Sequence, residues 1–195
     1  MTPMSYASAF GGGRWRRGWV TAALGLMAAL WGIAAGATEP AARPAADASV
    51  AIARMILGIV GYARWPAGVD SHRVCLASDR LETRAIGDRL LALGVRAISV
   101  QWLGSDSGQW AANCDVAYLE NLPDGRRKSV LGQTLGRPVL TISGGDPLCA
   151  GGSLFCLELA GDEIVLKANL DSIARSGIRV NPKVLQLAQR TGGRP

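Results

Sequence analysis

Short apolar segments alternate with helix-like segments through the middle of the chain. The predicted strands are 72–78, 96–103, 114–120 and 137–143, and the predicted helices between them are 81–93 and 124–135. Parallel neighbours in a sheet need a long crossover, usually a helix. The alternation therefore predicts an α/β domain whose mainly parallel central sheet is flanked by helices, as in a Rossmann-like fold.

Different patterns precede and follow this central part. In residues 49–65, apolar side chains recur every three or four positions, which predicts an amphipathic helix that Pro66 stops. Residues 154–170 hold two alternating apolar runs around Gly161, which is typical of a β-hairpin and predicts an antiparallel C-terminal edge to the sheet. A last helical segment is predicted at 183–190, after Pro182.

The first 37 residues have the three parts of an export signal. Three arginines precede an apolar run at 19–33, and Ala35-Gly36-Ala37 provides small residues for cleavage. The run has about 15 residues, fewer than the roughly 20 that span a bilayer, so we expect a cleaved signal peptide rather than an anchor. Arg16 and Arg17 leave both general secretion and the twin-arginine route open.

The rest of the chain divides by composition. Residues 38–48 are rich in Ala and Pro and are predicted to form a flexible leader, followed by one folded domain at 49–190 and a tail at 191–195. Cleavage after Ala37 removes three arginines and no acid, so the net charge falls from +6 to about +3. The remaining bases are mostly interspersed with acids, and we therefore expect no nucleic-acid partner.

Four cysteines follow the predicted signal: Cys75, Cys114, Cys149 and Cys156. Four cysteines allow three pairings. The Gly-rich loop between Cys149 and Cys156 favours that pair, and adjacent parallel strands would place Cys75 near Cys114. Because there is no C-x-x-C motif, we predict two structural disulfides in an oxidising compartment, rather than a redox or metal site.

Signatures of catalysis and cofactor binding are missing from the sequence. His72 is the only histidine, and GSDSG at 104–108 carries Asp106 where a nucleophile elbow needs serine. Neither G-x-G-x-x-G nor a Walker A motif occurs. Pairs of carboxylates are too common to indicate a hydrolase. We therefore expect a protein that is not an enzyme and has no catalytic residue, metal or cofactor.

Several segments together resemble the YfiR family of periplasmic regulators. The resemblance covers about 49–190 and rests on both cysteine pairs and on the segments GIVGYARWP (58–66), RPVLTIS (137–143), GGSLFCLEL (151–159) and NLDSIARSGIRVNPKVLQLAQR (169–190). It implies a periplasmic repressor that binds the sensor domain of a YfiN-type inner-membrane diguanylate cyclase and lowers cyclic di-GMP. It further implies a homodimer, and relief of repression by a YfiB-type outer-membrane lipoprotein and by reductive misfolding.

The C-terminal stretch is the first candidate surface. Its apolar side chains either cap the sheet or contact a partner, and Arg175, Arg179 and Lys183 lie among them. These apolar residues are Leu170, Ile173, Ile178, Val180, Pro182, Val184, Leu185 and Leu187. The resemblance favours partner contact for Leu170, Ile173, Val180, Pro182 and Leu185.

A second candidate surface joins Arg64 and Trp65 to the C-terminal residues Arg175, Arg179 and Asn181. Arginine binds anions in a bidentate manner and tryptophan offers a stacking face, so this set predicts a small anionic or aromatic ligand. The resemblance implies a histidine at position 181, and asparagine there cannot become charged. Arg64 at a solvated helix end is the simpler alternative. A small-molecule-binding domain that feeds a sensor or transporter is therefore the alternative function.

Overall fold

The computed structural model describes residues 45–187 apart from 69, 78–80 and 162, with side chains from residue 48 onward. The predicted signal peptide (1–37), residues 38–44 of the leader and the tail (191–195) lie outside the described residues. They remain expectations from the sequence.

Helices and strands alternate along the described chain. Its first half contains α1 (Ala45–Tyr62), β1 (Ala63–Arg64), β2 (His72–Ala77), α2 (Leu81–Ala92), β3 (Ile98–Leu103), α3 (Trp110–Asn113) and β4 (Val116–Glu120). Its second half contains α4 (Asp124–Thr134), β5 (Leu140–Gly144), β6 (Phe155–Ala160), β7 (Glu163–Ala168), α5 (Leu170–Arg175), β8 (Arg179–Val180) and a 3₁₀ helix (Pro182–Leu185).

Six strands form the central sheet in the order β3-β2-β4-β5-β6-β7. The first five are parallel to one another, and β7 pairs antiparallel with β6 as a hairpin. Strands β1 and β8 form a separate antiparallel ribbon. The predicted fold, a mainly parallel α/β sheet with an antiparallel C-terminal hairpin, is confirmed.

Both faces of the sheet are buried. Because side chains alternate along a strand, Val74 and Leu76 of β2 join a first apolar cluster with α1 and α2, whereas Cys75 joins a second cluster with α3 and α4. Full burial of such an apolar side chain contributes about 1.5–3 kcal/mol to folding. The C-terminal segment packs on the first cluster through Ile178 and Val184.

The first helix differs from its prediction at both ends. It begins at Ala45, so residues 45–48 of the predicted flexible leader are helical. Three of these four residues are alanine, the best helix former. The helix also ends at Tyr62 rather than at Trp65, because Ala63 and Arg64 pair with β8. A pairing with a distant segment has replaced the local helical pattern.

The C-terminal segment also differs from its prediction. Helix α5 and strand β8 were not predicted, and a 3₁₀ helix with Pro182 at its start occupies the beginning of the predicted helix 183–190. Asn169 caps α5 by accepting from the N–H of Ser172, and Asn181 caps the 3₁₀ helix by accepting from that of Lys183. Residues 188–190 lie outside the described residues.

Both predicted disulfides are confirmed. Cys75 pairs with Cys114, and Cys149 pairs with Cys156, with Cα atoms 5.6 Å apart in each pair. The first joins β2 to the residues before β4 inside the second cluster. The second closes the loop between β5 and β6, whose backbone has a positive φ at Cys149 and Gly152.

Candidate functional site

The predicted partner-binding residues lie on three short elements of the C-terminal segment. This contact set comprises Leu170 and Ile173 of α5, Val180 of β8, and Pro182 and Leu185 of the 3₁₀ helix. Leu170 and Leu185 are 72% and 45% exposed, and Pro182 is exposed as well. Ile173 and Val180 are partly buried and pack on the first cluster.

The other apolar residues of this segment belong to the core. Ile178 and Val184 are only 4% and 2% exposed, and Leu187 is partly buried against the first cluster. The structure thus divides the apolar residues of the C-terminal segment into buried core residues and residues that are at least partly exposed. Leu170, Pro182 and Leu185 are the exposed members of the contact set.

Asn169 links the contact set to the short disulfide. Its side-chain Nδ2 donates to the carbonyl of Cys149 at 3.1 Å, while its Oδ1 accepts from the N–H of Ser172 at 2.9 Å. Its backbone N–H donates to Leu154, and its carbonyl accepts from Ile173, at 2.9 Å each. One residue therefore holds both the disulfide loop and the first turn of α5.

Three of the predicted ligand residues meet in a groove of about 250 Å³ beside the β1–β8 ribbon. Gly61, Tyr62, Arg64, Arg179, Val180 and Asn181 line this arginine groove. Arg64 and Arg179 are directly opposite each other in the ribbon, where like charges repel. Arg64 also donates to the carbonyl of Gly61 at 2.9 Å. Two arginines that line the same groove favour the binding of an anion there.

Trp65 does not offer the exposed stacking face that its position beside Arg64 suggested. It is 9% exposed, belongs to the first cluster, and packs on His72 with ring centroids 4.1 Å apart. Its Nε1 and the Nδ1 of His72 are buried without a hydrogen-bond partner among the described residues. Sequence reasoning did not predict that His72 packs on Trp65, because a single histidine forms no pattern of spacing.

Burial lowers the pKa of His72 below its ordinary 6.5, Asp115 opposes this shift, and Arg64 adds to it. The folded protein therefore resists a proton that the unfolded chain accepts. The free energy of unfolding should decline as the pH falls below about 6.5, until it reaches the pKa of folded His72. Urea unfolding between about pH 8 and pH 5 should show this decline, and His72→Gln should remove the histidine's share.

The titration of Asp115 sets the lower limit of the pH range in which this unfolding experiment reports on His72. Burial alone would raise its pKa, but hydrogen bonds from the side chain and backbone of Arg73 hold it below 3.8, so its effect on stability begins in more acidic solution. The same pH dependence in wild type and His72→Gln above about pH 5 would show that His72 does not titrate as its burial requires.

Arg175 lies in another pocket, apart from Arg64 and Arg179. This α4–α5 pocket has a volume of about 220 Å³ and is lined by α4, β5, the disulfide loop and α5. Arg175 also forms an ion pair with Asp171 one turn earlier in α5. The structure therefore divides the predicted ligand residues among the arginine groove, the core around Trp65 and the α4–α5 pocket, and sequence reasoning did not identify that pocket.

Two further observations concern the described residues alone. None of their helices is long and apolar enough to cross a bilayer. Nor do they contain a group of three or more His, Cys, Asp or Glu side chains that could hold a metal ion.

Two disulfides cross-link the α/β domain, and Leu170 and Leu185 are exposed on its last elements. The sequence model of the YfiR/HmsC-like family matches residues 50–189, and the chain belongs to this family. The family is a regulatory domain family and not a known enzyme family. Membership suggests a periplasmic regulator of diguanylate cyclase signalling.

Proposed function

We propose that the protein is exported to the periplasm and represses an inner-membrane diguanylate cyclase of the YfiN type by binding its sensor domain. Repression lowers cyclic di-GMP. A YfiB-type outer-membrane lipoprotein relieves it by sequestering the repressor, as does misfolding after disulfide reduction. The protein acts as a homodimer and needs no catalytic residue.

The exposure of the contact set carries this proposal. Leu170 and Leu185 present apolar surface at 72% and 45% exposure on a segment whose Ile178 and Val184 are buried in the core. Burial of such side chains in a partner is the main favourable term in association. Arg179 and Lys183 are exposed on the same C-terminal segment, as charged residues are in the polar rim of a protein interface.

The scaffold suits repression by binding. The disulfide loop and the Asn169 cap fix the first turn of α5, so Leu170 and Ile173 are held in place before a partner arrives. A surface that is already ordered loses less conformational entropy on binding. The part of the contact set on α5 is therefore linked through Asn169 to the loop that the Cys149–Cys156 disulfide closes.

Affinity capture from detergent-solubilised membranes tests the proposal. The immobilised mature protein should recover a membrane protein that carries a diguanylate cyclase domain. Leu170→Asp combined with Leu185→Asp should weaken this capture at least about tenfold, because an apolar anchor at an interface centre contributes about 2 kcal/mol or more. Both positions are exposed, so the variant should remain folded.

Leu81→Asp is a matched control for this experiment. Leu81 is 81% exposed and is the first residue of α2, as Leu170 is the first of α5. This control should capture the cyclase as well as wild type does. Failure of the wild-type protein to recover a cyclase from membranes that contain one, or equal loss of capture in the control, would count against the proposal.

The opposed arginines favour a second candidate function. Arg64 and Arg179 lie opposite each other, and none of the described residues that line the arginine groove carries a carboxylate. A small anion, or an aromatic compound with a carboxylate, would therefore relieve their repulsion. Under this alternative the protein is a periplasmic small-molecule-binding domain that feeds a sensor or transporter. The same membrane capture separates the two, since it should then recover no cyclase.

A further inference from the structure

The α4–α5 pocket is open because three of its lining residues are glycines. Gly136 and Gly152 have φ values of +69° and +99°, a region that favours glycine. Gly132 has no such requirement, and a Cβ added there would meet no atom within 4 Å. The backbone at Gly132 therefore does not require glycine, and the space next to it could hold a side chain or a ligand.

The pocket has an apolar part and a polar part. Leu131, Leu135 and Leu154 contribute the apolar lining. The polar lining comprises Thr134, Thr141, Ser172, Arg175 and Ser176. Thr141 is only 1% exposed, and its hydroxyl oxygen accepts from the N–H of Leu154 at 3.0 Å. Because the hydroxyl accepts in this bond, its own proton can be donated to a bound group.

Helix α5 directs two kinds of side chain to two sides. One face of the helix lines the pocket, with the spacing of Ser172, Arg175 and Ser176. The other face carries Leu170 and Ile173, which are the two members of the contact set in α5. The α4–α5 pocket is therefore separate from the proposed partner surface. It is also separate from the arginine groove, with which it shares no lining residue.

Arg175 can supply the charge that recognises a ligand. Its ion pair with Asp171 joins side chains that are 63% and 70% exposed, and such surface pairs are weak. A carboxylate in the pocket can therefore take the guanidinium in a bidentate hydrogen bond. The volume of about 220 Å³ is below the range of pockets for drug-sized ligands, which limits the occupant to a small molecule.

We propose that the α4–α5 pocket binds a small molecule that carries a carboxylate on a short apolar chain. The carboxylate accepts from Arg175 and Ser172, and the chain lies against Leu131, Leu135 and Leu154. This inference does not depend on the proposed function, because the pocket and the contact set involve different residues.

Hexanoate is a suitable probe, with acetate and hexan-1-ol as partial analogues. Titration of the oxidised, full-length mature protein by NMR should show saturable binding of hexanoate, with shifts at the amides of Gly152 and Ser172. Arg175→Gln should weaken the binding of hexanoate about tenfold. It should leave the binding of hexan-1-ol unchanged, because this alcohol lacks the charge. Asp171→Asn should strengthen hexanoate binding, because it frees Arg175.

Gly132→Leu tests the location by filling the pocket. Leucine is a better helix former than glycine, so the helix should persist, and hexanoate binding should fall at least about tenfold as the space is lost. Gly125→Leu is the matched control, since Gly125 is in the same helix, has open space around its added Cβ, and does not line the pocket. The control should bind hexanoate as wild type does.

Two results would overturn the proposal. The first is the absence of saturable hexanoate binding to the wild-type protein. The second is unchanged hexanoate binding in Gly132→Leu.

Discussion

Loss of the short disulfide should derepress the cyclase more strongly than loss of the long one. With periplasmic protein levels matched, Cys149→Ser with Cys156→Ser should raise cyclic di-GMP further than Cys75→Ser with Cys114→Ser. Chain entropy alone predicts the opposite order of stabilisation. The sequence separations of 7 and 39 residues correspond to about 2.5 and 4 kcal/mol.

The expected order follows from where each disulfide lies. Cys149 carries the carbonyl that Asn169 holds, and Asn169 caps the helix that begins with Leu170. Cys75 and Cys114 belong to the second cluster, on the face of the sheet opposite the first cluster, against which Ile173 and Val180 of the contact set pack. Loss of the short disulfide should thus disturb the binding surface directly, whereas loss of the long one acts through overall stability.

Asn169→Ala separates these two effects. It removes the link between loop and helix but leaves both disulfides in place, so it should reproduce part of the derepression seen without the short disulfide. Equal repression by the two double cysteine variants, or stronger derepression from the 75–114 pair, would show that the short loop does not organise the contact set.

The sheet and the hairpin could be predicted because their signals are local and repeated. Parallel strands buried on both faces give apolar runs, and the helices between them give stripes with helical spacing. Gly161 marked the hairpin turn, and it has a φ of +63° between β6 and β7. Both disulfides followed from the same reasoning about strands and loops.

The end of α1 could not be predicted in this way. Its helical pattern continues to Trp65, but Ala63 and Arg64 pair instead with β8, far away in sequence. No local pattern reports such a pairing. The prediction of a stacking face at Trp65 was wrong for a related reason. The sequence does not tell whether an indole faces solvent or, as in this protein, the core.

The candidate ligand site was predicted in part. Arg64, Arg179 and Asn181 do meet in the arginine groove. Arg175 is near them in sequence, but its position on α5 directs it to the α4–α5 pocket. The sequence could not separate the two locations because α5 has only six residues, too few for a helical period to show.

Deletion of the protein should raise cellular cyclic di-GMP several-fold and promote aggregation or biofilm. The physical reason is that the cyclase sensor loses the partner that holds it inactive. Each 1.4 kcal/mol of lost binding free energy changes an equilibrium about tenfold, so removal of the whole interface should release nearly all of the cyclase. Expression of the wild-type protein in the periplasm should restore the low level, whereas Leu170→Asp with Leu185→Asp should not.

Quantification of cyclic di-GMP in matched strains tests the central claim most directly. The strains are wild type, the deletion of this protein, the deletion of its cognate cyclase, and the double deletion. The proposal predicts a rise in the first deletion and no rise when the cyclase is also absent. An unchanged level in the deletion strain that retains the cyclase, or an equal rise in the double deletion, would contradict it.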